Sequence, residues 1–482
     1  MRISGRATLL LCACAAALQI AAFYPGYVTH DSAYQWWQGR HDEITTLWPP
    51  GMALFLGFFD PKAGHAPAAF FVLHCALFWC CAAYLSMRQP TSIRRVAVAS
   101  VFCVLPITTI CLPHVWSDVA LAIWLLVAAL GLDLAARMKG STFAQTVLIV
   151  LCSAILVLSV LLRHNALLSL PPLLWLAACR WRAVLTTRRI ICFAPLDVRR
   201  ILAITALATS ILLALTLATY ALVPRWVSKT RADTWAITLI WDLQALSVAS
   251  GQVLMPSSIS GNATIEDLRA SFDPINAVTM YVKSTSSWAN ATVGLSSDQK
   301  SDLATAWMQA IASDPVTYAR HRIFVFTKML GPKRDAAIDG SADDPIHVQF
   351  RDNPTLAFAN PDVLRRAQMW VSWLRPQWWA SPLAWIVATS AFVGCALWRS
   401  RRRALNYLRS DLPPSRWSWM LGDSRFFSVT CVWLSGLLYL VPLLVIAPTA
   451  DLRYLLWPVL ASVAAACLAF SDDGASTHPS LR

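Results

Sequence analysis

Residues 118–139 read DVALAIWLLVAALGLDLAARMK: an apolar run with Asp118 at one end, Arg137 and Lys139 at the other, and a single acid, Asp133, inside. A helix needs about 20 apolar residues to cross the roughly 30 Å hydrocarbon core of a bilayer, so this stretch predicts a membrane span. Comparable runs occur at 7–23, 67–87, 96–113, 143–162, 165–179, 201–223, 380–398, 426–446 and 454–470, the runs at 165 and 454 being short. With 118–136 they predict an all-α polytopic membrane protein of about 10 transmembrane helices.

The charge asymmetry of 118–139 also repeats. Twenty Arg or Lys ahead of the C-terminal tail fall in the loops at one end of the runs, from Arg2 and Arg6 through Arg94 and Arg188 to the cluster at Arg401, Arg402 and Arg403. The short loops at the other end hold only Arg40, Lys62, Arg163 and Arg453. The positive-inside rule then places both termini in the cytoplasm.

Composition agrees. A chain of 482 residues that is 57% hydrophobic and 14% charged has too little polar surface for a soluble globular protein of this size. The net charge of +14 raises the question of nucleic acid, but the excess sits in one set of loops, where topology accounts for it and anionic lipid answers it. Membrane lipids are therefore expected partners and nucleic acid is not.

The runs divide the chain into an N-terminal transmembrane module at 1–223 with an external loop at 24–66, a segment at 224–375, and a C-terminal transmembrane module with a cytoplasmic tail at 376–482. The first run resembles a secretory signal, but it is longer than a signal core and leads to no clean cleavage site, so a retained anchor is expected. The 224–375 segment holds fifteen basic and fourteen acidic residues and no cysteine, which excludes a disulfide framework there. Its signals are helical, at Asp298–Ala312, from Asp314-Pro315 onward, and at Asp362–Leu374. Asn262-Ala-Thr and Asn290-Ala-Thr match the glycosylation sequon, a cheap match.

The loop at 24–66 is too rich in aromatic and ionisable residues for an idle connector. Asp31–Gly39 suits a short helix with Ser32 or Asp31 as cap, and Trp48–Phe59, apolar but too short to cross, suits the membrane interface. Seven of the nine histidines, including His30, His114 and His164, fall on the external side. Asp31 stands out: a partly desolvated carboxylate there can serve as a general base toward a hydroxyl, or merely cap a helix. Arg163 and Arg453 each lie at the external end of a run, where an arginine is costly unless paired. Their forks suit phosphate, snorkelling to the headgroups, or, for Arg453, an ion pair with Asp451.

Tyr24-Pro25-Gly26, Asp31-Ser32, Gln35 and the apolar return at Trp48-Pro49-Pro50 resemble the first external loop of bacterial GT-C membrane glycosyltransferases, which take a sugar from a polyprenyl-phosphate carrier. The similarity continues at Trp116-Ser117-Asp118, Arg163-His164-Asn165 and Asp451-Leu452-Arg453-Tyr454, and it leaves out 224–375. It implies a GT-C-like fold in a bacterial inner membrane, with catalytic Asp31 and a second acid, Asp118, facing one cleft. His30, Gln35, Trp37, His114, Arg163, His164, Asn165, Arg453 and Tyr454 would bind the donor or a glycan or lipid acceptor. Arg163 and Arg453 would hold the departing phosphate, and Trp36, Trp37 and Trp116 could stack on sugar faces. The chain lacks the Asp-x-Asp pair that accompanies a divalent metal in some members, which argues against a metal cofactor, although His30, Asp31, His114 and Asp118 offer nitrogen and oxygen donors.

Three other classes remain open on the sequence. A polysaccharide polymerase or ligase would use the same lipid-linked donors. A flippase or transporter would line a transmembrane path with ionisable groups, whereas here they gather at one face and Asp133 is the one acid within a run. A membrane scaffold is the bland remainder.

Overall fold

A computed structural model describes residues 5–60, 64–138, 141–187, 198–280, 294–331, 347–408 and 425–471, so the sequon at Asn290 and the linker around Ser410 lie outside the described residues. The N-terminal module contains α1 (Gly5–Phe23), α2 (His30–His41), α3 (Gly51–Phe59), α4 (Ala66–Met87), α5 (Ser92–Val104), α6 (Pro106–Cys111), α7 (Ser117–Ala135), α8 (Thr142–Leu158), α9 (Ala166–Thr187) and α10 (Val198–Val227). The middle segment folds into α11 (Thr234–Ser250), α12 (Ser257–Ser260), α13 (Ile265–Ser271), α14 (Ser297–Ser313), α15 (Pro315–Leu330) and α16 (Pro361–Leu374). The chain then forms α17 (Pro382–Leu408), α18 (Arg425–Ile446) and α19 (Leu456–Ala469). The described residues contain isolated β-bridges but no strand.

Eight helical stretches are long and apolar enough to cross a membrane: Gly5–Phe23, Ala66–Met87, Ser117–Ala135, Thr142–Leu161, Arg200–Val227, Pro382–Arg399, Phe426–Ile446 and Leu452–Ala469. Two expected spans differ. The run at 96–113 is broken, because Leu105 precedes Pro106 and takes extended backbone (ψ 111°), separating α5 from α6. The run at 165–179 continues to Thr187 as α9, with Pro171 and Pro172 inside and Arg180 and Arg182 near its end.

Both nevertheless traverse the bundle. The α5–α6 pair starts where Arg95 Nε donates to Gln89 O beyond α4 and ends where Pro113 O accepts from Tyr27 N beyond α1. Helix α9 starts beside Arg163 and ends near Arg180, whose Nη2 donates to Ser428 Oγ at the start of α18. Among the described residues eight stretches thus have the length and apolarity of a span, and these two run between the same ends of the bundle without meeting that measure.

The arginine-rich end of the bundle is clamped at Asp133. Its carboxylate accepts from Arg137 at 3.0 Å and from the Tyr84 hydroxyl at 2.6 Å, with Arg88 at 3.7 Å, and Arg88 in turn donates to Ser471 Oγ beyond α19. Helices α7 and α19 are the enclosed members: Leu121 is 1% exposed, and Leu125, Leu132, Val459, Leu460 and Ala464 are fully buried. Helix α10 is peripheral and keeps Leu207, Ile211 and Leu215 exposed, the surface expected against lipid.

The middle segment covers the opposite end. Its helices start where side chains accept the first free backbone N–H groups: Ser296 and Gln299 form a capping box on α14, Thr264 and Asp267 form one on α13, and Asp314 caps α15 with Pro315 in the first turn. Asp242 of α11 is fully buried and anchors the layer, pairing with Arg322 Nη2 at 2.6 Å and accepting from Trp307 Nε1 at 2.9 Å. Arg322 Nη1 also donates to Ala447 O, while Ala277 N donates to Pro448 O and Ala450 N to Ile275 O. The segment thereby grips 447–450, the turn that leads into Arg453.

The 24–66 loop departs from expectation in one respect. Helix α2 forms as read, but neither Ser32 nor Asp31 caps it: Thr29 is the cap residue and makes no capping bond. Ser32 Oγ donates instead to Val115 O at 2.6 Å, and Asp31 is drawn to Arg453, so distant partners outcompete the local cap. Helices α2 and α3 touch backbone to backbone at Gly39 and Gly57, where a Cβ on Gly39 would lie 2.7 Å from Gly57 N.

Candidate functional site: an acid–arginine cluster beside two cavities

Asp31 reaches the site because the chain before it is stitched to the chain before α7. Tyr27 N donates to Pro113 O and Val115 N to Tyr27 O, at 2.8 and 2.9 Å, and Trp116 Nε1 donates to Thr29 Oγ1 at 2.8 Å. Asp31 thus falls in the first turn of α2 and Asp118 in the first turn of α7. Free N–H groups and the helix dipole favour carboxylates at both places.

Two arginines tie the acids together. Arg453 places Nη1 3.0 Å from Asp31 Oδ2, Nε 3.0 Å from Asp451 Oδ2 and 3.8 Å from Asp118 Oδ2. Arg163 holds Asp118 with both prongs, Nε to Oδ1 at 2.8 Å and Nη2 to Oδ2. Tyr454 lies under both guanidinium groups, at 5.3 Å from Arg163 and 5.5 Å from Arg453. Burial opposes the charge of Arg163, but Asp118 more than offsets it and holds its pKa above the usual guanidinium value. Three carboxylates face two guanidinium groups, so the cluster carries one negative charge in excess when all five are ionised. The Asp118 and Asp451 side chains are 2% and 9% exposed; Asp31, at 28%, is the accessible edge.

The other expected site residues spread around this cluster. Gln35 donates to Asp31 O while its buried Oε1 has no hydrogen-bond partner among the described residues. His114 is buried and stacked on Trp116 at 3.8 Å. His30 is exposed and meets Phe350 edge-on at 5.6 Å. Trp37 donates to Asp352 Oδ1 and carries Arg351 over its ring at 3.9 Å. Trp36 and Trp116 are both 2% exposed and offer no open ring face. No group of three or more His, Cys, Asp or Glu is placed to hold a metal among the described residues.

His164 and Asn165 turn toward a chamber of about 480 Å³ lined also by Arg163, Tyr454, Thr234, Trp235, Thr238 and Trp307. Its polar side chains are hydroxyls, an amide, an imidazole and the Arg163 guanidinium, among aromatic faces. His164 Nδ1 lies 2.9 Å from the Tyr220 hydroxyl, and both residues also line a neighbouring cleft of about 590 Å³. That cleft holds Arg225, Ser228, Lys229 and Arg231 against Pro49, Val160 and Pro224. Lys229 is paired with Asp42 at 3.2 Å, and Arg225 and Arg231 are exposed and form no ion pair among the described residues.

The sequence reading missed the residues that the middle segment contributes here. A signal existed for the layer's anchor: an acid such as Asp242 within an apolar helix requires a buried partner. Nothing local marks Thr234, Trp235 or Trp307 as cavity residues.

No family model, curated protein or solved structure matches the chain.

Proposed function

We propose that the chain is an integral-membrane glycosyltransferase that moves a sugar from a polyprenyl-phosphate carrier to an acceptor outside the cytoplasmic membrane, inverting the anomeric carbon. The observation that carries this reading is the unequal burial of three carboxylates on two arginines, with Asp31 alone left open enough to meet a substrate. In this reading Arg453 orients the Asp31 carboxylate, which takes the proton of an acceptor hydroxyl as that oxygen attacks the anomeric carbon and the carrier phosphate departs. Asp118 and Arg163 serve as the rigid support of Arg453 and Tyr454.

The split between the two cavities supports an assignment of the donor. A chamber with hydroxyl, amide and aromatic groups, bordered by one arginine, Arg163, whose fork Asp118 already engages, suits an uncharged sugar. The adjoining cleft has cationic surplus and an apolar wall at the end of the lipid-facing helix α10, which suits a phosphate on an apolar tail. The phosphate contact expected of Arg163 and Arg453 is thus assigned first to Arg225 and Arg231, because the forks of the former pair are engaged by carboxylates. A flippase reading gains no support from Asp133, which is closed off by Tyr84, Arg88 and Arg137.

Profiling lipid-linked sugars in cells with and without the gene tests the reading. One polyprenyl-phosphate sugar should accumulate when the gene is absent; an unchanged profile would count against it.

A further inference from the structure

Helix α16 presents an apolar face that no part of the described protein covers. Leu364 and Leu374 turn inward and are buried, whereas Val363, Met369, Trp370 and Trp373 point outward and are 46–58% exposed. Trp370 and Trp373 stack on each other at 4.8 Å, which leaves one continuous aromatic surface. Arg365 and Arg366 are exposed on the same helix, opposed in its first turn by Asp362 alone.

The two ends of α16 fix its height relative to the spans. At its start, Asn360 Nδ2 lies 3.5 Å from Ala21 O in the last turn of α1, and Ala359 N donates to Tyr24 O. At its end, a short turn carrying Trp378, 73% exposed, delivers the chain directly to Pro382, the first residue of the next candidate span. Both ends therefore sit where apolar helices stop, so α16 runs along that boundary and does not project away from it. The helices at its two ends also leave apolar side chains open, Leu18 of α1 and Val387 of α17 being 71% and 58% exposed.

From this placement we infer that α16 is an in-plane interfacial helix: Met369, Trp370 and Trp373 insert among phospholipid chains at headgroup depth, and Arg365 and Arg366 bind headgroup phosphates. Tryptophan favours this depth because its ring is apolar and its N–H is polar, and a helix with one such face and adjacent arginines lies in the interface and does not cross it. The chain entering the helix gives the contact a consequence, because Ala359 N donates to Tyr24 O and Phe358 meets Tyr27, four residues before Asp31, edge-on at 5.6 Å. Lipid contact would then help hold the loop that carries Asp31. The inference does not depend on the reaction proposed above.

The test uses the full chain in phosphatidylglycerol vesicles doped with a phospholipid that carries a photoactivatable diazirine near its headgroup, with adducts mapped by mass spectrometry. Adducts are expected on 363–373 as well as on the outer faces of α1 and α17. Trp370→Ala/Trp373→Ala should lower labelling of 363–373 several-fold while labelling of 383–392 stays the same, and Arg365→Gln/Arg366→Gln should lower it as well. Labelling of α1 and α17 with none on 363–373 would overturn the inference. So would chain-to-chain adducts through Trp370, which would mean that a second copy covers the face.

Discussion

Arg453 and Asp31, at the mouth of the last span and in the first turn after the first one, meet at 3.0 Å through Nη1 and Oδ2. The contact joins the two ends of the chain at the accessible edge of an otherwise closed cluster.

Removing Arg163 should cost stability before it costs chemistry. Asp118 would be left buried without its bidentate partner, a loss of about 3 to 5 kcal/mol for a buried pair broken on one side. Arg163→Ala should lower the melting temperature in detergent markedly, and Arg163→Lys, which keeps the charge but not the fork, should fall between it and the wild type. A melting temperature unchanged in Arg163→Ala would show that the pair is not a structural tie.

His321 predicts how stability follows pH. Burial, and after it the neighbouring Arg322, lowers its pKa from 6.5 to about 4. Between those values the unfolded chain binds a proton that the folded chain does not, so stability rises with pH through this window and is lost as pH falls from about 6.5 toward 4. Denaturation curves measured across that range should show the loss, and His321→Gln should flatten it.

The cationic cleft makes a separate prediction. Hydrogen bonds to charged groups contribute about 1.5 to 3 kcal/mol when sheltered; Arg225 and Arg231 are exposed, so the lower end applies. Arg225→Ala and Arg231→Ala should each raise the KM for a polyprenyl-phosphate sugar by up to roughly tenfold, with little change in kcat, and high salt should mimic the effect. Unchanged KM in both variants would remove the phosphate from this cleft.

The arginine asymmetry predicts sidedness. Reporter fusions at Ser260, in the layer over the site end, and at Ser410 should report opposite sides of the membrane. The same side at both points would contradict the topology read from the arginines.

How much of this was legible in the sequence follows from the range of the interactions. Spans and helix starts such as Asp314-Pro315 depend on neighbours within a few residues, and the chain read alone placed them well. Leu105-Pro106 was equally local, yet the apolar run hid the break. The partners of the site were out of reach: Asp31 and Arg453, or Asp242 and Arg322, meet only once the bundle and its covering layer are assembled. Long-range demand also explains why Ser32 and Asp31 abandon their capping roles, each having a stronger partner elsewhere. Of the pairs in the cluster, the sequence offered Arg453 with its near neighbour Asp451, but not Arg453 with Asp31 or Arg163 with Asp118, and that pairing is why we assign the phosphate contact to Arg225 and Arg231.

The central claim is that Asp31 takes the acceptor's proton. Transfer from a synthetic polyprenyl-phosphate sugar should be measured in detergent for the wild type, Asp31→Asn and Asp118→Asn, after matching their expression and monodispersity. Asp31→Asn keeps the shape and loses the base, so its rate should fall by roughly a hundredfold or more with the melting temperature little changed, while Asp118→Asn should lose stability and show the smaller fall in rate. Transfer by Asp31→Asn within a few-fold of the wild type would contradict the account and leave Asp31 as a structural partner of Arg453.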